Sequence, residues 1–118
     1  MKCDGGYNCP VEATLTLIGG KYKALILWHL TGNTLRFGEI RKMIPQATPK
    51  MLTQQLRELE EAGLLRRTVY PVVPPKVEYA LSDFGRSIKP ILVSMYEWGT
   101  GYLKERGEQV NCSMKELL

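Results

Sequence analysis

Four polar side chains recur along one predicted helix at a spacing that places them on a single face. At about 100° per residue, and with Leu52 pointing inward, the opposite side carries Lys50, Thr53, Gln54 and Arg57. Threonine and glutamine can exchange hydrogen bonds with base edges in the major groove, and lysine and arginine can neutralise phosphates. Arginine can also bind guanine in bidentate fashion. This face predicts contact with double-stranded DNA, although polar residues cover the outside of any amphipathic helix.

The excess positive charge of the chain surrounds that helix. The formal net charge is +4, and residues 36–76 hold eight bases against four acids, whereas the remainder balances eight against eight. A concentrated positive field attracts a polyanion, but an ordinary solvated face would have the same composition. Three acids near the far end of the helix are expected to face away from a duplex: Glu58, Glu60 and Glu61.

The helix that carries the polar face has clear start and stop signals. Thr48 is a favourable N-cap, and it also lies close enough to the polar face to be a candidate DNA contact; Pro49 suits the first turn. Gly63 is a typical C-terminal stop. An inward stripe runs between them, formed by Leu52, Leu56 and Leu59. A shorter helix precedes it and ends at Pro45, so we predict a helix-turn-helix over about 37–62.

Two earlier helices and a hairpin complete the predicted domain. A first helix starts at Pro10 and is interrupted at Gly19-Gly20; the second is apolar around most of its circumference, which makes His29 a packed core histidine. Residues 65–81 alternate in polarity and predict an antiparallel hairpin with a proline-rich, projecting connection. Such a hairpin is a wing, and three basic residues near it would contact the DNA backbone: Arg66, Arg67 and Lys76.

A long final helix is predicted over about 83–104, with Ser82 as its cap. Because one 118-residue core is small, a helix this rich in large apolar groups is expected to bury part of its surface against another copy of the chain. The fold class is therefore α+β, mainly helical: a single winged helix-turn-helix DNA-binding domain over residues 1–118, with N- and C-terminal dimerisation helices.

Several sequence blocks resemble those of HxlR-type bacterial transcription regulators. In chain order they are residues 9–12 (CPVE), 18–21 (IGGK), 52–59 (LTQQLREL), 73–79 (VPPKVEY) and 98–99 (WG). Tyr22 stands where the family usually has tryptophan, which keeps an aromatic ring. The resemblance implies a winged-helix homodimer that binds an imperfect palindrome and is paired through its first and last helices. The interface residues would be Val11, Leu15, Leu92, Met95, Trp98 and Tyr102.

Cys9 precedes Pro10 at the predicted start of the first helix, where the positive end of the helix dipole favours a thiolate. In the resembling family the matching cysteine is, in several members, a sensor of oxidants, quinones or aldehydes. The alternative is that Cys9 packs as a small apolar group or forms an N-cap. Either Cys3 or Cys112 is a candidate to pair with an oxidised Cys9.

Other classes of function are disfavoured by the sequence. No nucleophile-base pair or phosphate-binding loop predicts an enzyme, no close pair of cysteines or histidines starts a metal site, and no cofactor is expected. The chain has no run of about 18 apolar residues and no secretion signal, so we expect a cytoplasmic protein without membrane contact. Two alternatives stay open: a winged-helix module that binds protein, and an architectural DNA binder without sequence preference.

Overall fold

The structure is a computed structural model that describes residue 6 and residues 9–107. It contains six helices and a two-stranded antiparallel sheet within those residues. In chain order they are α1 (Pro10–Ile18), α2 (Lys23–Leu30), α3 (Phe37–Met43), α4 (Pro49–Glu61), β1 (Leu65–Tyr70), β2 (Lys76–Leu81), α5 (Asp83–Arg86) and α6 (Lys89–Glu105).

The apolar helix α2 lies at the centre of the domain. Residues 26–30 are all buried, and His29 is among them, as the all-round apolar pattern predicts. Burial lowers the pKa of His29, because a charged imidazolium would lose its hydration. By contrast, α1 buries Ile18 alone. The first helix therefore adds little to the core of a single chain.

Helices α3 and α4 form the helix-turn-helix. The Thr48 hydroxyl oxygen accepts a hydrogen bond of 3.1 Å from the Met51 N–H, which confirms Thr48 as the N-cap of α4. Gly63 follows the helix with a φ of +81°, a conformation that favours glycine at a helix end. Between these ends the predicted leucine stripe is buried in the core: Leu52, Leu56 and Leu59.

The wing is built on the pairing of β1 with β2. Leu65 pairs with Leu81 at its base and Tyr70 with Lys76 at its tip. A short extended segment at Leu35 pairs with β2 near the core end of the hairpin. Leu35 and Tyr79 exchange backbone hydrogen bonds of 2.9 and 2.7 Å there. Leu65 is the buried residue of β1 and the rest of that strand is exposed. The hairpin thus projects from the core, as predicted.

The C-terminal region differs from the single helix predicted over 83–104. Ser82 does act as a cap, accepting from the Gly85 N–H at 3.0 Å, but the helix that it starts, α5, ends at Arg86. The cause is Pro90, which has no N–H for the carbonyl of Arg86 and clashes with it sterically. A new helix, α6, therefore begins at Lys89.

The prediction of Leu92 as a dimer-interface residue is wrong. Its side chain is only 3% exposed and belongs to the core of its own chain, because it lies on the side of α6 that packs against α2. Among the helices within the described ranges, none has the length and apolar character needed to cross a membrane.

Candidate nucleic-acid interface

The polar face of α4 is exposed, and the structure gathers its four predicted residues at one open groove. Lys50, Thr53, Gln54 and Arg57 line this groove together with Phe37 of α3 and Pro49. All four lie opposite the buried leucine stripe. Within residues 9–107, neither Lys50 nor Arg57 has an ion-pair partner. Both positive charges are therefore available to phosphate or to a base edge.

The hydroxyl groups of this face are partly used by the helix itself. Thr53 donates from Oγ1 to the Pro49 carbonyl at 2.8 Å, so its oxygen lone pairs are what it can offer a ligand. Thr48 accepts from the Met51 N–H, which leaves its hydroxyl proton free to be donated outward. These two threonines present complementary hydrogen-bonding groups at the N-terminal turns of α4, which enter a groove first in a recognition helix.

The acids at the far end of α4 do not all face away from the polar residues. Glu58 and Glu61 line the same groove, and Glu58 accepts a 3.3 Å hydrogen bond from the Gln54 amide. The expectation is therefore wrong for both Glu58 and Glu61. A hydrogen bond from Lys23, a second from Gln54 and the charge of Lys23 hold the pKa of Glu58 below its usual range.

Contacts from the start of α2 fix the position of α4. The backbone N–H of Tyr22 donates to the Gln55 side chain at 3.1 Å, and the Lys23 ammonium lies 2.8 Å from the Glu58 carboxylate. The Tyr22 hydroxyl also donates to the carbonyl of Gln46, in the turn between α3 and α4, at 3.3 Å. Sequence reasoning missed these links, which join positions more than twenty residues apart.

The base of the wing adjoins the polar face. Thr53 and Arg57 of α4 share a second depression with Arg67 of β1 and Tyr79 of β2, and Glu60 also lines it. Arg66 and Arg67 are exposed. Lys50, Arg57 and Arg67 thus lie along one surface, here called the α4–wing surface, which Glu58, Glu60 and Glu61 also line.

Lys76, the third basic residue predicted on the wing, already has partners. Its ammonium lies 3.4 Å from the Glu78 carboxylate and 5.1 Å from the centre of the Tyr70 ring. A hydrogen bond with Glu78 raises the pKa of Tyr70, and the same bond lowers the pKa of Glu78. To contact a phosphate, Lys76 would have to share its charge with Glu78.

Away from the α4–wing surface, the first and last helices expose large apolar side chains. Trp98 is 73% exposed, and its ring stacks on that of Tyr102, with 5.5 Å between the ring centres. Every predicted interface residue except Leu92 is exposed. They are here called the terminal-helix surface: Val11, Leu15, Met95, Trp98 and Tyr102.

Cys9 is an exposed free cysteine at the start of α1. It occupies the N-cap position, but its side chain makes no capping hydrogen bond. Two alternatives to sensing were predicted. Packing as a small apolar group is wrong for the single chain, because Cys9 is exposed. Cys9 does stand at the N-cap, but only through its backbone conformation. The predicted partners Cys3 and Cys112 lie outside the described residues.

A helix-turn-helix followed by a basic hairpin defines the chain as a winged-helix DNA-binding protein. It belongs to the HxlR-like helix-turn-helix family of transcriptional regulators, since the sequence model of that family matches residues 17–107. The predicted family, fold class and function as a DNA-binding regulator are thereby confirmed.

Individual relatives agree with this assignment. An uncharacterised HTH-type transcriptional regulator of Bacillus subtilis, YdeP, is 50% identical over 108 residues, which cover 92% of this chain and 84% of YdeP. The oxidised form of the redox regulator HypR shares 52% identity at a TM-score of 0.76, covering 79% of this chain and 96% of HypR. The reduced form of YodB from B. subtilis shares 34% identity at a TM-score of 0.68, covering 78% and 91%.

Proposed function

We propose that this protein is a sequence-specific regulator that acts in the cytoplasm as a homodimer on a pseudo-palindromic DNA operator. One α4 would enter the major groove of each half-site, and the wings would contact the flanking backbone. In a two-fold dimer the two half-sites would lie about one DNA turn, roughly 34 Å, apart. Pairing through the terminal-helix surface would leave both α4–wing surfaces free.

The observation that carries this proposal is the exposed polar face of α4. Its four side chains combine unpaired positive charge with hydrogen-bonding groups, and they lie on a helix whose opposite side is locked into the core. A rigid helix that presents such groups meets the requirements for base readout. Arg67 extends the same surface for phosphate contacts, and Arg66 is exposed at the neighbouring position of β1.

A selection of bound oligonucleotides tests the proposal, followed by footprinting and a salt titration on the selected and a random duplex. We expect one palindromic consensus and a steep fall of affinity with salt for both duplexes. Salt-dependent binding without a preferred site would instead indicate an architectural DNA binder. The absence of salt-dependent binding to any duplex would favour a protein-interaction module.

Arg57→Ala is expected to weaken operator binding by about 1–3 kcal/mol, because Arg57 is exposed on α4 and has no ion-pair partner within the described ranges. If Arg57 reads a base, the loss is confined to the selected duplex. If it binds a phosphate, the random duplex loses affinity too and the salt slope falls by about one.

Lys104→Ala is the matched control for Arg57→Ala, since it removes one positive charge from α6, outside the α4–wing surface. It should leave both affinities nearly unchanged. If Arg57→Ala kept wild-type affinity throughout the salt titration, Arg57 would not be part of the DNA interface.

We further propose that Cys9 makes operator binding responsive to oxidants or electrophiles such as quinones and aldehydes. The support is its exposure at the start of α1 and the similarity to HypR and YodB. A peroxide would oxidise the Cys9 thiolate to a sulfenic acid and be reduced to water; a second thiol, from Cys3 or Cys112, could then form a disulfide with loss of water.

Mild peroxide should change operator affinity in the wild type, and Cys9→Ser should abolish that change, as measured by gel shift before and after treatment. Cys3→Ser and Cys112→Ser each remove one thiol and leave Cys9 in place, and the one that does not pair with Cys9 is the matched control with the wild-type response. Absence of a disulfide to Cys9 in one of them, seen by mass spectrometry of non-reduced peptides, would identify the pairing partner. Identical responses of wild type and Cys9→Ser would end the sensor proposal.

A further inference from the structure

A three-residue relay connects α2 with the polar face of α4. The Lys23 ammonium lies 2.8 Å from one oxygen of the Glu58 carboxylate, and the other oxygen accepts from the Gln54 amide nitrogen at 3.3 Å. The Lys23 side chain is only 12% exposed and that of Glu58 is 37% exposed, so the ion pair is shielded from solvent on the Lys23 side. Glu58 is thus held from one side and contacts Gln54 on the other.

The relay determines which way the Gln54 amide points. An ionised carboxylate only accepts hydrogen bonds, so the Gln54 group that faces Glu58 must be the NH₂. The carbonyl oxygen is then directed away from Glu58. With the N–H trans to the carbonyl oxygen donated to Glu58, the other N–H and the carbonyl oxygen would form the edge of one donor and one acceptor by which glutamine binds adenine.

The start of α2 is itself held against α4, which supports the position of Lys23. The Tyr22 N–H donates to Gln55, one turn from Glu58 on the same helix. A Cβ on Gly20 would lie 2.7 Å from the Gln55 side-chain oxygen and 2.9 Å from Lys23, which shows how closely this turn approaches α4. The backbone from which Lys23 extends is therefore held against α4.

We propose that Lys23 and Glu58 are positioning residues that orient Gln54 to read an adenine in each half-site. The Gln54 carbonyl would accept from the N6 amino group and its free N–H would donate to N7. Guanine presents an acceptor, O6, where adenine has a donor, and would be rejected. This inference rests on the proposed function, because it requires α4 to enter the major groove.

The test compares base discrimination and not overall affinity. Gln54→Ala first identifies the half-site position whose preference it relaxes, and that base should be adenine. Wild type should then prefer adenine over guanine there by about 5- to 150-fold, the range for a bidentate contact. Replacing that adenine with purine, which lacks the amino group, or with 7-deazaadenine, which lacks N7, should each lower wild-type affinity.

Glu58→Gln should reduce the preference for adenine over guanine at that position at least about fivefold, since a neutral amide can face Gln54 with either of its polar atoms. Lys23→Met should reduce it in the same direction by freeing Glu58. Glu61→Gln is the matched control: it removes an equal charge from the same groove, changes overall affinity similarly and leaves the discrimination at its wild-type value.

Thermal unfolding of each variant confirms that it is folded before its discrimination is compared. Specific binding with wild-type discrimination in Glu58→Gln, or a base other than adenine at the Gln54 position, would overturn the relay while leaving the proposed function intact. Absence of any sequence preference in the wild type would overturn both.

Discussion

Leu56→Ala should lower the free energy of unfolding by about 2–5 kcal/mol, the range for truncating a buried leucine. Leu56 is 1% exposed and lies in the middle of the stripe that fixes α4 to the core. Since small domains are stable by only about 5–15 kcal/mol, this is a large share of the total. Urea unfolding should show a lower midpoint with an unchanged slope.

Thr53→Ala is the control for that loss, because Thr53 lies on the exposed face of the same helix. Alanine has the higher helix propensity, so the free energy of unfolding should change by less than about 1 kcal/mol. Both variants are compared at one protein concentration, since dimerisation would make apparent stability depend on it. A loss below about 1 kcal/mol for Leu56→Ala would contradict the packing of α4 described here.

The local signals around α4 sufficed to predict that helix. A capping threonine, a proline in the first turn and a glycine beyond the end each act within a few residues of where they stand, and all three act as predicted. The leucine stripe is also a local pattern, because helical periodicity alone decides which residues share a face. The exposure of Lys50, Thr53, Gln54 and Arg57 follows directly from the burial of that stripe.

Pairwise contacts between distant segments could not be predicted in this way. The contact of Lys23 with Glu58 depends on how α2 packs against α4. The contact of Gln54 with Glu58 is different, because the two residues are four positions apart on one helix and their shared face could be predicted. Leu92 illustrates the same limit, because an apolar helical position can face either its own core or a partner. The break before α6 is different: the signal, Pro90, was in the sequence and outweighed the apolar periodicity across it.

The terminal-helix surface explains why a second copy is needed for the proposed function. Its five side chains are exposed by between 45% and 73%, and exposed large apolar groups of this kind are typical of a contact surface. α1 buries only Ile18 in its own chain, so in the proposed dimer association would cover its exposed Val11 and Leu15. Dimerisation would place two α4 helices in one molecule, so that contact with the second half-site becomes intramolecular.

Trp98→Glu is therefore expected to produce folded monomers and to weaken binding to the full palindrome by about 10²–10⁴-fold through lost bivalency. Trp98 is 73% exposed, so the charge should not disturb the core of one chain, whereas burying it in an apolar interface would be costly. Sedimentation equilibrium would measure the association, and titrations of full-palindrome and single half-site duplexes would measure the binding.

Binding to a single half-site should be nearly unchanged in Trp98→Glu, because the α4–wing surface is untouched. Trp98→Phe keeps an apolar ring at the same position and should retain most of the dimer and of the affinity for the palindrome. A Trp98→Glu protein that still sediments as a dimer would show that the copies pair elsewhere. A monomer with wild-type affinity for the full palindrome would show that one chain is sufficient to bind the operator.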